Sequence, residues 1–299
     1  MLGWELTGYK DRLLNAFWRF GVRFTDLARS LGLMDRRMMQ TLERIAVRVV
    51  PSPNCEFTAP LDLGLTLTLP PQFTRARTYA AGVYEDRVTR LFKQIVREGM
   101  TVVDLGAFCG YYTLLASRLV GTTGHVYALE ADPRNFSYLQ KNVRDNNCTN
   151  VTATQTAILN RTSVARLVRH RNADHHWISV NQPADHDSVV VTTTTLDELI
   201  SRQGWPHVHL VKIDIEGSEQ AALEGMRELS LRNPDLLLIM EFDEANLRRA
   251  TSSRDSIART LGDLGFVRGY IIETNMKPFS INAGIPRIRI TCNFLLSKS

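Results

Sequence analysis

From residue 101 onward, short continuous apolar runs alternate with stretches in which apolar side chains recur every three or four positions. Residues 101–105, 125–130, 151–159, 208–214 and 236–242 read as strands. Helical periodicity fills 111–119 and 133–146, with Asp132 placed to cap the second of these and Pro133 at its first turn. Strands apolar on both faces, alternating with helices, predict a parallel sheet covered by helices on each side. Two additional strands are predicted at 166–170 and 188–194, flanking a polar loop at 172–187. Thr195 starts a short helix. Residues 267–272 and 289–296 predict a closing pair with only a loop between them, hence an antiparallel hairpin at the sheet edge.

The first hundred residues carry a different pattern. Leu13, Leu14, Phe17, Trp18, Phe24, Leu27 and Leu31 mark one apolar helix face, and Gly32 interrupts it. A second face runs through Met38, Met39, Leu42, Ile45 and Val49, capped at Asp35. Pro51-Ser-Pro53 reads as a linker, so a helical extension is expected at 1–53 and a single larger domain at 54–299. Alternating leucines at 63, 65, 67 and 69 predict a strand over 61–69, ended by Pro70-Pro71. Tyr84-Glu85 opens a helix that runs through Val96, and Gly99 ends it.

Charge sharpens the division. The chain of 299 residues has a net charge of +5, and residues 1–50 hold nine Lys/Arg against five Asp/Glu. A basic amphipathic segment can lie on an anionic membrane or associate with a second copy. Packing is the expectation here, because Phe17, Trp18 and Phe24 would otherwise leave an exposed apolar stripe. Over the whole chain +5 is too modest to call for nucleic acid. A hydrophobic fraction of 44% supports a packed core. Cys55, Cys109, Cys148 and Cys292 form no Cys-x-x-Cys pair, so neither a zinc site nor a disulfide framework is indicated. Charges at Glu5, Lys10, Asp11 and Arg12 stand where a signal peptide needs an apolar core, and no run reaches membrane-spanning length. The expected location is the cytoplasm, with peripheral membrane contact through residues 1–50 as the alternative.

Candidate chemistry gathers where the predicted strands end. Asp104 closes the first central strand, and Gly106 and Gly110 bracket the turn into the next helix. A strand, a glycine turn and a helix start together form a nucleotide-binding junction. The spacing Asp-x-Gly-x-x-x-Gly differs from the Gly-x-Gly-x-x-Gly of dinucleotide binders, and a carboxylate faces the site. That combination suits a ligand with positive charge, such as the ammonium and sulfonium of S-adenosylmethionine. Glu130 ends the following strand, at the distance where such folds place a ribose-binding acid. Asp214 with Glu216, and Glu241, end two more strands, so acids from four strands converge on one rim. An acid there could take a proton from a nucleophile. Asp214 and Glu241, at the ends of neighbouring strands, could instead share a divalent cation, with Glu216 as a third ligand. In the polar loop, His175, His176 and Trp177 are candidates for a substrate lid, the indole stacking on a sugar face; a solvated loop is the alternative. Two rival readings are an NAD-dependent dehydrogenase or epimerase and a noncatalytic nucleoside-binding scaffold.

Val211-Lys-Ile-Asp-Ile-Glu-Gly-Ser-Glu219 resembles the Lys-x-Asp-x-Glu-Gly-x-Glu hallmark of the FkbM family of S-adenosylmethionine-dependent methyltransferases. Tyr84-Glu85, the turn from Asp104 to Gly110, Glu130-Ala-Asp-Pro133, Thr195-Leu-Asp197 and Ile239-Met-Glu241 match it in the family's order, from about residue 57 to the C-terminus. The resemblance implies the Rossmann-like class I methyltransferase fold: a mostly parallel seven-stranded α/β sheet, helices on both faces and a C-terminal antiparallel hairpin. It also implies O-methylation of a hydroxyl-bearing small molecule or glycan. By the same resemblance Asp104, Gly106, Ala107, Phe108 and Gly110 border the methionine moiety, and Glu130 the ribose. Ala131, Asp132, Thr156 and Ala157 lie near the adenine, and Lys212, Asp214, Glu216 and Glu241 surround the transferred methyl. Lys212 has a second role open to it, as ion-pair partner of these acids. One departure stands out. The family usually has Asn after Gly-Ala, and this chain has Phe108.

Overall fold

The computed structural model describes residues 56–71, 78–79, 84–169, 176–179, 187–288 and 290–299. The helical extension, the linker and His175 lie outside the described residues. Two compact units divide the chain, one ending at Asp86 and the other starting at Arg87.

In the first unit β1 (Phe57–Pro60) and β2 (Thr66–Leu69) form an antiparallel hairpin, with Phe57 opposite Leu69. The strand expected over 61–69 therefore begins only at Thr66. Leu63 adopts a left-handed φ of 63° inside a single 3-10 turn, Asp62–Gly64, and points outward at 46% exposure. Leu65, Leu67 and Leu69 keep the alternation and are buried. The chain must reverse between the two strands, and that need overrides the leucine pattern at its first position.

The second unit is built on an eight-stranded sheet. From the unit boundary, α1 (Asp86–Ile95) leads to β3 (Thr101–Leu105), then α2 (Tyr111–Val120), β4 (His125–Glu130), α3 (Pro133–Asp145) and β5 (Val151–Gln155). After an excursion through β6 (Ala157–Ile158), β7 (Ser163–Val168), β8 (Trp177–Ser179) and β9 (Ser188–Thr194), the chain returns through α4 (Leu196–Ser201) to β10 (Leu210–Ile213). Next come α5 (Glu219–Glu224), α6 (Arg227–Arg232), β11 (Leu237–Phe242), α7 (Glu244–Arg249) and α8 (Arg254–Asp263). The chain ends with β12 (Arg268–Ile271), β13 (Lys277–Ser280) and β14 (Cys292–Ser297).

The strand order is β13-β12-β14-β11-β10-β3-β4-β5. The five strands from β11 to β5 are parallel to one another, and β14 enters antiparallel between β11 and β12. This is the expected mostly parallel sheet with its antiparallel end. It has one strand more than expected, because Lys277–Ser280 pairs as β13 on the outer edge of β12. The sequence Lys-Pro-Phe-Ser has no apolar alternation, and Pro278 is tolerated because an edge strand needs only one of its two hydrogen-bonding sides.

A second correction concerns residues 151–159. They form not one strand but two, split between sheets at Thr156. The Thr156 N–H donates to the Glu130 carbonyl at 3.1 Å, while its hydroxyl donates to the Thr192 carbonyl at 3.1 Å. The four-stranded sheet that follows has the order β6-β9-β7-β8. It draws Trp177–Ser179 out of the expected polar loop and pairs it with β7, Trp177 opposite Val168.

Residues that alternate along the central strands divide between the two faces of the sheet. One face sends Val103, Leu105, Leu129, Val211, Ile213, Leu238 and Met240 into a continuous core with Leu223, Leu229 and Leu261 from the helices. At an order-of-magnitude 25 cal/mol per Å² of apolar surface removed from water, such a layer supplies the main drive to fold. On the opposite face stand Asp104 and its cross-strand partner Lys212, under Tyr112 and Thr113 of α2.

Candidate active site at the carboxyl ends of the strands

The chain leaves β3 toward β4 on one side and reaches β10 on the other, so the order of strands reverses between β3 and β10. In open α/β sheets the crevice beyond such a reversal is where ligands bind. Here it is made by the turn after β3, the end of β4 and the segments after β10 and β11.

Glycine is required in the turn. A Cβ on Gly106, whose φ is +79°, would stand 1.8 Å from the Asp214 carbonyl oxygen. The two strand ends can approach only without that atom. Gly110, at φ 98°, caps α2. The amide of Asn142 in α3 donates to the Cys109 carbonyl at 2.8 Å and ties the turn to the next helix. The Ala107 N–H bonds back to the Leu129 carbonyl at 2.9 Å. Phe108 has a left-handed φ of 51°, a conformation that Asn adopts far more readily than a bulky residue. What the position contributes to Glu130 is its backbone: the Phe108 N–H donates to Glu130 Oε2 at 2.8 Å. That bond does not depend on the side chain, so the missing Asn does not undo it.

Glu130 is buried at 8% exposure, and its other oxygen accepts the Asp132 N–H at 2.8 Å. Each carboxylate oxygen has two lone pairs, so the pair of backbone bonds leaves acceptor capacity for two hydroxyls. Burial, reinforced by Asp132 and Asp104, pushes the Glu130 carboxyl up to about 7. Asp132 caps α3 through Oδ1, accepting from the N–H groups of Arg134 and Asn135. Its Oδ2 pairs with Arg169 and lies 3.9 Å from His176 Nε2. Ala131 packs, partly buried, beside the Ala157 cluster, and Thr156 and Ala157 are both buried.

Asp104 lies beneath this turn. It is buried at 2% exposure and accepts the Thr113 hydroxyl at 2.6 Å. Burial raises its pKa, against the opposing charge of Lys212. Lys212 Nζ donates to Asp214 Oδ2 at 2.8 Å and sits over the Tyr112 ring, 4.6 Å from its centroid. The ion-pair role for Lys212 is therefore the one seen.

Asp214 and Glu241 lie one step beyond Ile213 and Met240, the last residues that β10 and β11 pair with each other, and Glu241 is still within β11, opposite Asn293 of β14. Together with Glu216 they offer one carboxylate oxygen each within 4.8 Å of one another. All three are half-buried. Glu216 reaches the group by a strained route, with φ 52° followed by Gly217 at φ 106°. Two residues outside the expected site hold it there. Asn246 in α7 donates to Glu216 Oε2 at 2.8 Å, and buried Glu219 accepts the Gly217 N–H at 3.0 Å. Burial, with Asp214 and Glu216 nearby, pushes Glu219 up to about 7. Glu219 closes the hallmark segment and was visible in it; Asn246 has no local signal.

Of the three lid candidates, His176 is the one beside Asp132. Trp177 is half-buried at the start of β8 and faces the Arg249 guanidinium of α7, 4.6 Å from the ring centroid. Asp197, matched in the resemblance but given no chemical role, is structural. Its two oxygens accept the N–H groups of Glu228 and Leu229 at the start of α6. No described helix is long and apolar enough to cross a membrane.

Residues 104–268 match the family model described as the methyltransferase FkbM domain. A 48-residue stretch is 40% identical to the protein-L-isoaspartate O-methyltransferase of Methanothrix thermoacetophila, covering 16% of this chain and 23% of that protein. The chain thus spans about a quarter of the length of this curated relative. Among solved structures, the methyltransferase FkbM of Methylobacillus flagellatus is 16% identical, with a TM-score of 0.41 over 74% of this chain and 54% of that one. A SAM dependent methyltransferase of Aquifex aeolicus is 17% identical, with a TM-score of 0.40 over 71% and 87% of the two chains.

Proposed function

The chain belongs to the FkbM methyltransferase family, and from that premise we propose that it methylates a hydroxyl of a saccharide or glycoconjugate. Its domain is an S-adenosylmethionine-dependent methyltransferase domain, which sets the dehydrogenase reading aside. The observation that supports the hydroxyl acceptor is the carboxylate trio of Asp214, Glu216 and Glu241 beside the Gly106 turn. An acidic rim repels a carboxylate acceptor and is suited to receive a proton from a neutral one.

The residues present fit the cofactor. Glu130 is a buried carboxylate at the end of β4 whose orientation is already fixed by two backbone donors, as a ribose diol requires. Asp104, Gly106, Ala107, Phe108 and Gly110 would border the methionine end. Ala131, Asp132, Thr156 and Ala157 would line the adenine end. When bound, the cofactor supplies an electrophilic methyl group on a sulfonium. The chain's own contribution is positioning and proton removal. Asp214, held by Lys212, and Glu241 would orient the acceptor hydroxyl and take its proton as the oxygen attacks. Glu216, fixed by Asn246, would complete the acidic wall. Trp177 would bound the acceptor side, the indole offering an apolar face to a sugar ring, while His176, beside Asp132, would stand at the adenine end.

Calorimetry with S-adenosylmethionine tests the cofactor half of this reading. Glu130→Ala should weaken binding by about 2–4 kcal/mol, the loss of a charged acceptor serving two hydroxyls. Undiminished binding by that variant would move the ribose elsewhere. For the acceptor half, glycan and glycolipid fractions incubated with methyl-labelled cofactor should take up label, and uptake only by protein or nucleic acid would overturn it.

A further inference from the structure

Resting on that cofactor reading, we propose that Arg169 is a positioning residue for the cofactor's ribose and adenine, acting through Asp132. Arg169 directly follows β7, in the four-stranded sheet, and belongs to no recognised motif. Its side chain is 12% exposed, and its Nε bonds Oδ2 of Asp132, whose own side chain is 1% exposed. The capping of α3 does not need this arginine, because Asp132 uses its other oxygen for the Arg134 and Asn135 N–H groups. The guanidinium answers a different demand. Asp132 donates its backbone N–H to Glu130, so two buried carboxyls stand two residues apart, with Asp104 contributing a third negative field.

The groups that face Glu130 and Asp132 come from several elements. Asp104 stands on β3, Cys109 in the turn, Arg169 after β7 and His176 before β8. Asp187 lies 4.0 Å from Arg169 on its outer side and is 54% exposed. Arg169 is the permanent cation of this set, since His176 is charged only when protonated. Removing it leaves the Asp132 charge without its partner in a site that water barely reaches. Glu130 would then favour its protonated form over a wider pH range, and a protonated carboxyl is a poorer acceptor for two ribose hydroxyls. Arg169 thus links the four-stranded sheet to cofactor affinity without touching the cofactor.

The test is calorimetric binding of S-adenosylhomocysteine from pH 6 to pH 8.5 to the full chain, to Arg169→Ala and to Arg169→Lys, with thermal melts alongside. Arg169→Ala should bind about tenfold or more weakly at neutral pH, with the pH at which affinity is gained displaced upward. Arg169→Lys, which keeps the charge but not the fork, should recover a large part of both. If Arg169→Ala does not fold, Arg169→Gln carries the same test, since it keeps a donor for Asp132 and removes the charge. Wild-type affinity with an unmoved pH midpoint in a folded, charge-removed variant would overturn the proposal. So would a loss of affinity that Arg169→Lys does not recover at all. A wild-type chain that binds neither S-adenosylmethionine nor S-adenosylhomocysteine would instead overturn the cofactor reading beneath it.

Discussion

Lys212 stands directly across the β3–β10 ladder from Asp104, and its ammonium lies 2.8 Å from the carboxylate of Asp214 two residues further on. The lysine side chain is 3% exposed. One buried cation therefore serves acids on both sides of the point where the strand order reverses. Lys212→Met should remove about 3–5 kcal/mol of stability, because it leaves buried Asp104 and half-buried Asp214 without their counter-charge. Urea unfolding measures this directly. A variant as stable as wild type would mean that the buried ammonium does not stabilise the two strand ends.

The Gly106 turn gives a sharper structural test. Gly106→Ala adds a Cβ 1.8 Å from the Asp214 carbonyl, at a φ of +79° that alanine rarely adopts. The strand ends must separate or the turn must rotate, at a cost of at least about 2 kcal/mol, and Asp104 in β3 and Asp214 after β10 move apart. Cofactor binding should drop with it. A Gly110→Ala change meets a softer obstacle, the Leu139 side chain at 2.8 Å, though its φ of +98° is also unfavourable. A Gly106→Ala protein with normal stability and binding would contradict the close approach of the two ends.

Much of this arrangement could be read from the chain. Asp104, Glu130, Asp214 and Glu241 close four apolar runs, and parallel strands buried on both faces announce themselves by continuous hydrophobicity. The glycines of the turn and the hallmark around Glu216 did the rest. What could not be read depends on partners far away in sequence. Arg169 becomes significant only through Asp132, which lies 37 positions earlier, and Asn246 only through Glu216, 30 positions earlier. The split at Thr156 has the same origin, since its hydroxyl partner is the Thr192 carbonyl. β13 was invisible for a local reason: one polar edge strand with a proline has no pattern to show.

Two buried glutamates predict how stability follows pH. Both Glu130 and Glu219 are raised from an ordinary 4.5 to about 7 in the folded chain, chiefly by burial. Between those values the folded protein holds protons that the unfolded chain releases, so stability falls as pH rises from about 4.5 to about 7. Each group contributes on the order of 3 kcal/mol to that fall. Glu219→Gln keeps an acceptor for the Gly217 N–H and should flatten the profile. With Glu130 holding the ribose as proposed, cofactor binding should run the opposite way, strengthening through pH 7 with release of a proton. Unfolding free energies at pH 5.5 and 8, and calorimetry in buffers of different ionisation enthalpy, check the two halves. A stability that climbs steadily over this window would refute the assignment.

The carboxylate trio could hold a divalent cation, but Asp214 already bonds Lys212 and thus offers reduced capacity to a metal. Turnover is therefore expected to survive excess EDTA unchanged. Loss of activity with EDTA and its return with magnesium would place a Lewis acid at Asp214, Glu216 and Glu241 instead.

The central claim is methyl transfer to a hydroxyl with Asp214 beside the reacting oxygen, and Asp214→Asn tests it most directly. Wild type and variant are incubated with methyl-labelled S-adenosylmethionine and the glycan fraction that accepts label, and the product is treated with mild alkali. The account predicts an alkali-stable methyl ether from wild type. From Asp214→Asn it predicts cofactor affinity near wild type with turnover reduced by about a hundredfold or more, as expected for loss of a general base. A near-normal rate in Asp214→Asn, or label released from the wild-type product by mild alkali as from an ester, would contradict it.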